Sequence, residues 1–239
     1  MAERFQILDF AYAHRGLWSA ETLPENSLEA ILAAAEAGLG CELDVRPAAC
    51  GTPVVFHDPL LDRMTGAAGP VAAHPAEALT AITLNGGGTL PTLEEVLEAW
   101  PGKAPLLIEL KIDGDTDAEA FTRTVASLVQ QHDGPAAMMS FSRTAVRAVP
   151  VDIMKGALIM PSVLAPGTTL EAAVAKAMAN RPDYLACNIL DAGHASALAA
   201  RLDLPLAIWT ISSLEMKRTI SHLRVAPIFE GFDPAFARP

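Results

Sequence analysis

Three stretches of the chain set reactive side chains next to one another at the ends of apolar runs. His14-Arg15 closes "FAYAH", Glu42-Leu43-Asp44 lies in "GCELDV", and Glu109 closes "APLLIEL" with Lys111 two positions on. In an extended strand residues two apart share a face, so Glu42 and Asp44 point the same way with Leu43 opposite, and Glu109 and Lys111 repeat the arrangement. Part-buried like charges repel unless something positive sits between them. Three carboxylates with no cysteine or histidine cluster suit a hard, oxygen-preferring cation, Mg²⁺ or Ca²⁺, which makes Glu42, Asp44 and Glu109 candidate metal ligands. Arg15 offers a planar bidentate fork and Lys111 a point charge, both suited to a phosphate. A further short run, "GTPVVFHD", ends in His57. With His14 it supplies two imidazoles flanking the acids, the pattern of a general base and a general acid. The ordinary alternatives are surface salt bridges, a Glu–Lys pair capping a strand, and structural histidines. Recurrence at successive strand ends weighs against them. Trp209 ends another apolar run and reads equally as a core residue or as a wall of the substrate pocket.

The elements that must position these residues alternate from end to end. Strand-like runs are "FAYAH", "GCELDV", "APLLIEL", "AAMMSF", "KGALIM", "DYLACNI", "LPLAIWTI" and "APIFEGF", with amphipathic segments between most of them. In "ENSLEAILAAAEAG" the apolar residues Leu28, Ile31, Leu32 and Ala35 follow a helical repeat, Asn26 and Glu29 stand at capping-box spacing, and Gly38 lies past the end. Phe121, Val125, Leu128 and Val129 repeat the pattern, and "TLEAAVAKAMAN", "HASALAARL" and "SLEMKRTISHL" complete the series. Strands alternating with helices in this way predict an α/β fold, a TIM (β/α)₈ barrel, with an open doubly wound sheet as the alternative. No Gly-x-Gly-x-x-Gly follows the first strand, which removes the commonest dinucleotide-binding reading. A barrel gathers the strand ends on one rim, where Ser140, Asn188 and Thr210 would join the residues above. The stretch 58–91, with "MTGAAGP" and "NGGGTLP", breaks the alternation and reads as a small insertion within one domain spanning 1–239. Gly86-Gly87-Gly88 and Cys50-Gly51 read as turns, Met138-Met139 as core filler, and His74, His132, His194 and His222 as structural.

The 239 residues carry 17 basic against 28 acidic side chains, a net charge of −11. That excludes nucleic acid or an anionic membrane as the main partner, since both need a basic footprint, but not a small anionic substrate. Cys41, Cys50 and Cys187 are odd in number, widely spaced and form no Cys-x-x-Cys, so neither a disulfide framework nor a zinc site is expected and a cytoplasmic address is the simplest. "MAERFQILDF" lacks the apolar core of a signal peptide. The longest uncharged stretch, "GALIMPSVLAPGTTL", is broken by Pro161 and Pro166 and falls short of the roughly 18 residues of a spanning helix, so no stable membrane insertion is expected. Oligomeric state is left open, a homo-oligomer included.

The chain resembles the glycerophosphodiester phosphodiesterase family. The matching stretches are "AHRG", "PENS", "ELDVR", "PVVFHD", "LDRMTG", "LPTLEEVL", "IELK", "SF" and "WTI", in order and most closely over residues 11–111. The resemblance implies a TIM-type barrel with a small insertion after the second strand. It implies one divalent cation on Glu42, Asp44 and Glu109, His14 and His57 as acid/base pair, and Arg15 and Lys111 on the phosphate. It also implies a hydrolase that converts glycerophosphodiesters to glycerol 3-phosphate and an alcohol, through a cyclic phosphate that water opens. The departures lie elsewhere: Ala48-Ala49-Cys50 replaces the family's Thr-x-Asp, "WTIS" its Trp-Thr-Val-Asn, and "APIFEGFDP", with Glu230 and Asp233, its final strand. They bear on the pocket beyond the phosphate. The alternatives are a phosphodiesterase of a related lipid or sugar phosphodiester, which an exposed apolar rim would favour in the lipid case, and a barrel that only binds phosphorylated ligands.

Overall fold

A computed structural model describes residues 4–160, 162–165 and 167–237. Glu3 and the prolines 161 and 166 lie outside the described residues. Among the described residues nine strands form in chain order: β1 (Tyr12–His14), β2 (Gly40–Pro47), β3 (Pro53–Val55), β4 (Leu106–Leu110), β5 (Ala136–Ser140), β6 (Met154–Ile159), β7 (Tyr184–Asn188), β8 (Leu206–Ile211) and β9 (Ala226–Phe229). All but β3 pair in parallel, in the order β1-β9-β8-β7-β6-β5-β4-β2, and β1 pairs with β2 to close the ring. β3 hangs antiparallel on β2, past the Cys50-Gly51 turn. The helices are α1 (Leu28–Glu36), α2 (Ala76–Thr80), α3 (Leu93–Ala99), α4 (Ala118–Gln131), α5 (Arg143–Ala148), α6 (Leu170–Met178), α7 (Ala192–Leu202) and α8 (Leu214–Thr219). This is the expected (β/α)₈ barrel. Among the described residues no helix is long and apolar enough to cross a membrane.

Strand parity sorts the side chains. Ala13, Cys41, Leu43, Leu106, Ile108 and Met138 face outward into the large core shared with the helices. Tyr12, Leu107, Met139, Leu158, Tyr184 and Ile228 face inward and fill the barrel. Helix α4 buries Phe121, Val125 and Val129 against the outer core, with Leu128 half-buried beside them. Space for the two interior tyrosines comes from small neighbours. A Cβ on Gly40 would lie 2.5 Å from the Tyr12 ring, and one on Gly156 would lie 2.3 Å from that of Tyr184.

Two local expectations are corrected. The N-cap of α1 is Ser27, whose hydroxyl accepts from the Ala30 amide at 3.2 Å, and not an Asn26–Glu29 box. Asn26 is held at φ 59° and its side chain turns to the barrel rim. The capping box forms instead at Thr92 and Glu95, opening α3. The last helical segment is also shorter than its sequence pattern, since α8 stops at Thr219. The inserted stretch after β3 packs around its own apolar cluster, with Leu61, Val71, Leu79, Leu84 and Leu90 buried together and α2 within it.

Candidate active site

Inward parity carries the reactive residues upward from the barrel floor. Above Tyr12 comes His14; above Gly40 come Glu42 and then Asp44; above Leu107 comes Glu109. The parallel ladder sets His14 opposite Glu42 and Asp44 opposite Glu109. One oxygen from each of Glu42, Asp44 and Glu109 lies within 4.8 Å of the others, and all three residues are buried. The predicted acids therefore meet at one point. His14, Arg15, His57, Lys111 and Trp209 line the same pocket, a cavity of about 130 Å³.

Cations already interleave with the acids. Lys111 Nζ stands 2.9 Å from Asp44 Oδ1 and 2.7 Å from Glu109 Oε1, and Arg15 Nε stands 3.1 Å from Asp44 Oδ2. Burial would raise the Asp44 pKa, but Lys111 and Arg15 hold it well below the usual carboxylate range. Glu42 has no such direct partner, and burial with repulsion from Asp44 and Glu109 pushes it well up. Burial and Asp44, against the pull of Lys111, raise Glu109 to about 7. With two basic side chains among three acids, ionising all three would leave the cluster net negative, and the raised carboxyls reflect that cost.

Each imidazole is oriented by a carboxylate. His57 Nδ1 lies 2.7 Å from Asp58 Oδ1, and His14 Nδ1 lies 2.6 Å from Glu230 Oε2. With Nδ1 engaged, proton exchange falls to Nε2, which in His14 stands 3.9 Å from Glu42 Oε2. Burial, opposed by Asp44 and reinforced by Lys111 and Arg15, lowers the pKa of His57. Buried Arg46 donates to the His57 carbonyl at 2.7 Å and fixes that backbone. Arg15 and Asn26 both adopt positive φ, 58° and 59°, and Asn26 exchanges hydrogen bonds with Asp44, its amide donating at 2.9 Å and its carbonyl oxygen accepting at 3.2 Å. Single strained residues of this kind concentrate at functional sites.

Several neighbours of these residues are given no role in the sequence reading. Glu25 accepts from Arg15 Nη1 at 2.9 Å and from Arg63 Nη2 at 2.6 Å, while Arg63 also grips Asp58. Arg63 comes from the insertion, with Asp58 five residues back but Glu25 38 away, and only the "LDRMTG" stretch marks it. Glu230 was legible by parity, two residues beyond the inward Ile228. Asp233 only caps a short turn, accepting from the Ala235 amide. Phe141 and Met139 line the pocket too, so Met139 is more than filler. Two expected rim residues do other work. Ser140 has outward parity and donates to the Leu110 carbonyl at 2.7 Å; Asn188 accepts from the Leu190 amide at 3.0 Å. Trp209 stands edge-on to Phe141, ring centroids 5.7 Å apart, as a pocket wall.

A closed parallel barrel with an acid triad, two carboxylate-backed imidazoles and two cations at the carboxyl ends of its strands defines a TIM-barrel protein with its candidate site on the rim where such barrels carry theirs. Residues 14–151, more than half the chain, match the model of the glycerophosphoryl diester phosphodiesterase family, and the chain belongs to that family. It is 38% identical over 92 residues to "Probable glycerophosphodiester phosphodiesterase 2" of Mycobacterium tuberculosis, a match covering 38% of this chain and 34%, about a third, of that relative. A glycerophosphodiester phosphodiesterase structure from Thermotoga maritima is similar at 25% identity and TM-score 0.75, covering 92% of this chain and 93% of that one. An Oleispira antarctica phosphodiesterase, solved in complex with the product sn-glycerol-3-phosphate, shares the fold at 22% identity and TM-score 0.78, with 92% of each chain covered.

Proposed function

We propose that this protein is a divalent-cation-dependent phosphodiesterase that hydrolyses glycerophosphodiesters to glycerol 3-phosphate and an alcohol. The observation that carries the reading is the convergence of Glu42, Asp44 and Glu109 in a pocket that also presents two imidazoles and two cations. Family membership and the product named for the Oleispira antarctica structure support the substrate class. Free thiols at Cys41, Cys50 and Cys187 support a cytoplasmic location, and the substrate class a place in glycerol and lipid metabolism.

The donor set fits one hard cation. Oxygens on opposite sides of Mg²⁺ or Ca²⁺ are about 4–5 Å apart, and the triad's oxygens lie within 4.8 Å. Three carboxylates face only two basic side chains there, Lys111 and Arg15, so ionising all three leaves room for a further positive ion. Bound there, the cation would polarise phosphate oxygens and offset the charge that develops on them. Arg15 and Lys111 hold the phosphate beside the acids, supplying positive charge that needs no reorganisation.

His57, kept neutral by burial and oriented by Asp58, takes the proton from the glycerol hydroxyl next to the phosphoester carbon as that oxygen bonds to phosphorus. His14, paired with Glu230, gives a proton to the departing alcohol oxygen as its bond to phosphorus breaks. The histidines then exchange roles while water adds to phosphorus and opens the cyclic phosphate. The test is a panel of glycerophosphodiesters with Mg²⁺, Ca²⁺ or chelator. Glycerol 3-phosphate is expected with an ion and not with chelator; its absence for every diester and ion overturns the reading.

A further inference from the structure

Two of the places where the sequence departs from the family pattern, "WTIS" at the end of β8 and "APIFEGFDP" at β9, meet in the structure. The Glu230 amide donates to the Ile211 carbonyl at 3.1 Å, and a Cβ on Gly231 would stand 3.5 Å from the Ser212 carbonyl oxygen. The departure reaches the site through the sheet. β1 and β9 pair Tyr12 with Ile228 and Ala13 with Phe229, and one step further up the same register sets Glu230 beside His14. The carboxylate on the His14 ring therefore comes from a stretch outside the shared motifs.

The two carboxylates that back the imidazoles are not equivalent. Asp58 follows His57 directly in the chain and divides its oxygens between His57 and Arg63. Glu230 lies 2.6 Å from His14 Nδ1, and among the described residues its side chain has no other hydrogen-bond partner. A carboxylate bound to Nδ1 alone fixes the rotation of the ring and leaves Nε2 to exchange a proton. His14 lines the reaction pocket, so a fixed ring presents Nε2 to whatever occupies it.

We propose that Glu230 is the positioning residue for the leaving-group proton: it holds His14 with Nε2 turned to the ester oxygen of the departing alcohol, so that the divergent last strand sets how poor a leaving group this chain can expel. This rests on the phosphodiesterase reading and extends it. In that step the bond from phosphorus to the alcohol oxygen breaks, its electron pair stays on that oxygen, and the Nε2 proton joins it. Glu230 keeps its charge and takes no proton. An alkyl alcohol needs the proton as it departs, whereas a nitrophenol leaves as a stable anion without it.

The experiment compares two glycerol phosphodiesters, the alkyl ester of the panel above that the protein cleaves best and a p-nitrophenyl ester. The quantity is kcat/KM, which ends at alcohol release, before water opens the cyclic phosphate. Glu230→Ala should lower it by about 10–100-fold on the alkyl ester and leave the nitrophenyl ester almost unchanged. Asp58→Ala, which disturbs the base needed to start the reaction on either ester, should lower both alike. Glu230→Gln keeps an acceptor oxygen for Nδ1 and should show the same selectivity with a smaller loss, and a melting curve of each variant verifies that it is folded. Equal losses on the two esters in folded Glu230 variants, or no loss on the alkyl ester, overturn the inference and leave the phosphodiesterase reading intact. No turnover of either ester by the unsubstituted protein overturns both.

Discussion

At the scale of single residues, the site is a set of charges that position one another. Arg63 carries the most reach. It is half exposed, contributes nothing to the pocket lining, and yet binds both the carboxylate that orients His57 and the one that anchors Arg15. Removing such an outer partner typically costs 10–100-fold in activity or ligand affinity. Arg63→Ala should therefore lower kcat/KM by roughly 10–100-fold with little change in melting temperature, and Arg63→Lys should recover only part of it because an ammonium cannot bridge two carboxylates as a fork. Direct loss of a proton-transfer group is larger: His14→Ala and His57→Ala should each lower kcat by about 10²–10⁴ while a product-like phosphate still binds. Steady-state kinetics and a phosphate titration check both, and unchanged turnover would remove the acid/base roles. The residues with roles visible in sequence were those whose partners are two positions or one strand away. Glu25 and Arg63 lie 38 positions apart, and no local spacing reveals such a pair.

At the scale of elements, the turn after β1 is the most constrained piece. Gly16 has φ 87°, and a Cβ there would stand 2.5 Å from the Ala30 carbonyl carbon. The close approach seats α1 behind the strand that holds His14 and Arg15. Gly16→Ala should cost roughly 1–3 kcal/mol by overpacking alone, with added strain from the positive φ, and urea unfolding measures it. His132, at the end of α4, gives an element-level pH dependence. The residue is buried, its Nε2 has no partner, and burial lowers its pKa below the ordinary value near 6.5. As pH falls through 6.5 the unfolded chain binds a proton first, so stability present above that value is lost on acidification until the folded pKa is reached. His132→Gln should flatten the stability profile between about pH 5 and 7. An unchanged slope would contradict the assignment.

The barrel strands and the helices α1, α4, α6, α7 and α8 were legible because the two periodicities differ, whereas the short α2, α3 and α5 were not read as helices. Where reading failed, tertiary demands overrode local pattern. Asn26 has the spacing of a cap but is drawn to Asp44, leaving Ser27 to cap α1. Ser140 sits at a strand end like the candidate site residues but has the opposite parity, which strand-end position alone does not encode.

For the whole molecule, barrel closure turns eight separate strand ends into one site, and it also divides that site. Acids and cations gather on one half of the rim and apolar side chains on the other. Against the chain's negative charge, which would otherwise repel a phosphate, positive charge is supplied locally by Arg15 and Lys111. That division was not readable from sequence, because it depends on which side chains become neighbours once β1 meets β9 and closes the ring.

The central claim is that Glu42, Asp44 and Glu109 bind a single cation on which hydrolysis depends. Equilibrium binding of Mn²⁺, followed by its paramagnetic signal alongside activity on the same samples, addresses it most directly. We predict one ion bound per chain, activity rising in step with occupancy, and both lost in Glu42→Gln and Glu109→Gln although the variants stay folded. Full activity with the ion stripped, or undiminished Mn²⁺ binding in both variants, would contradict the account.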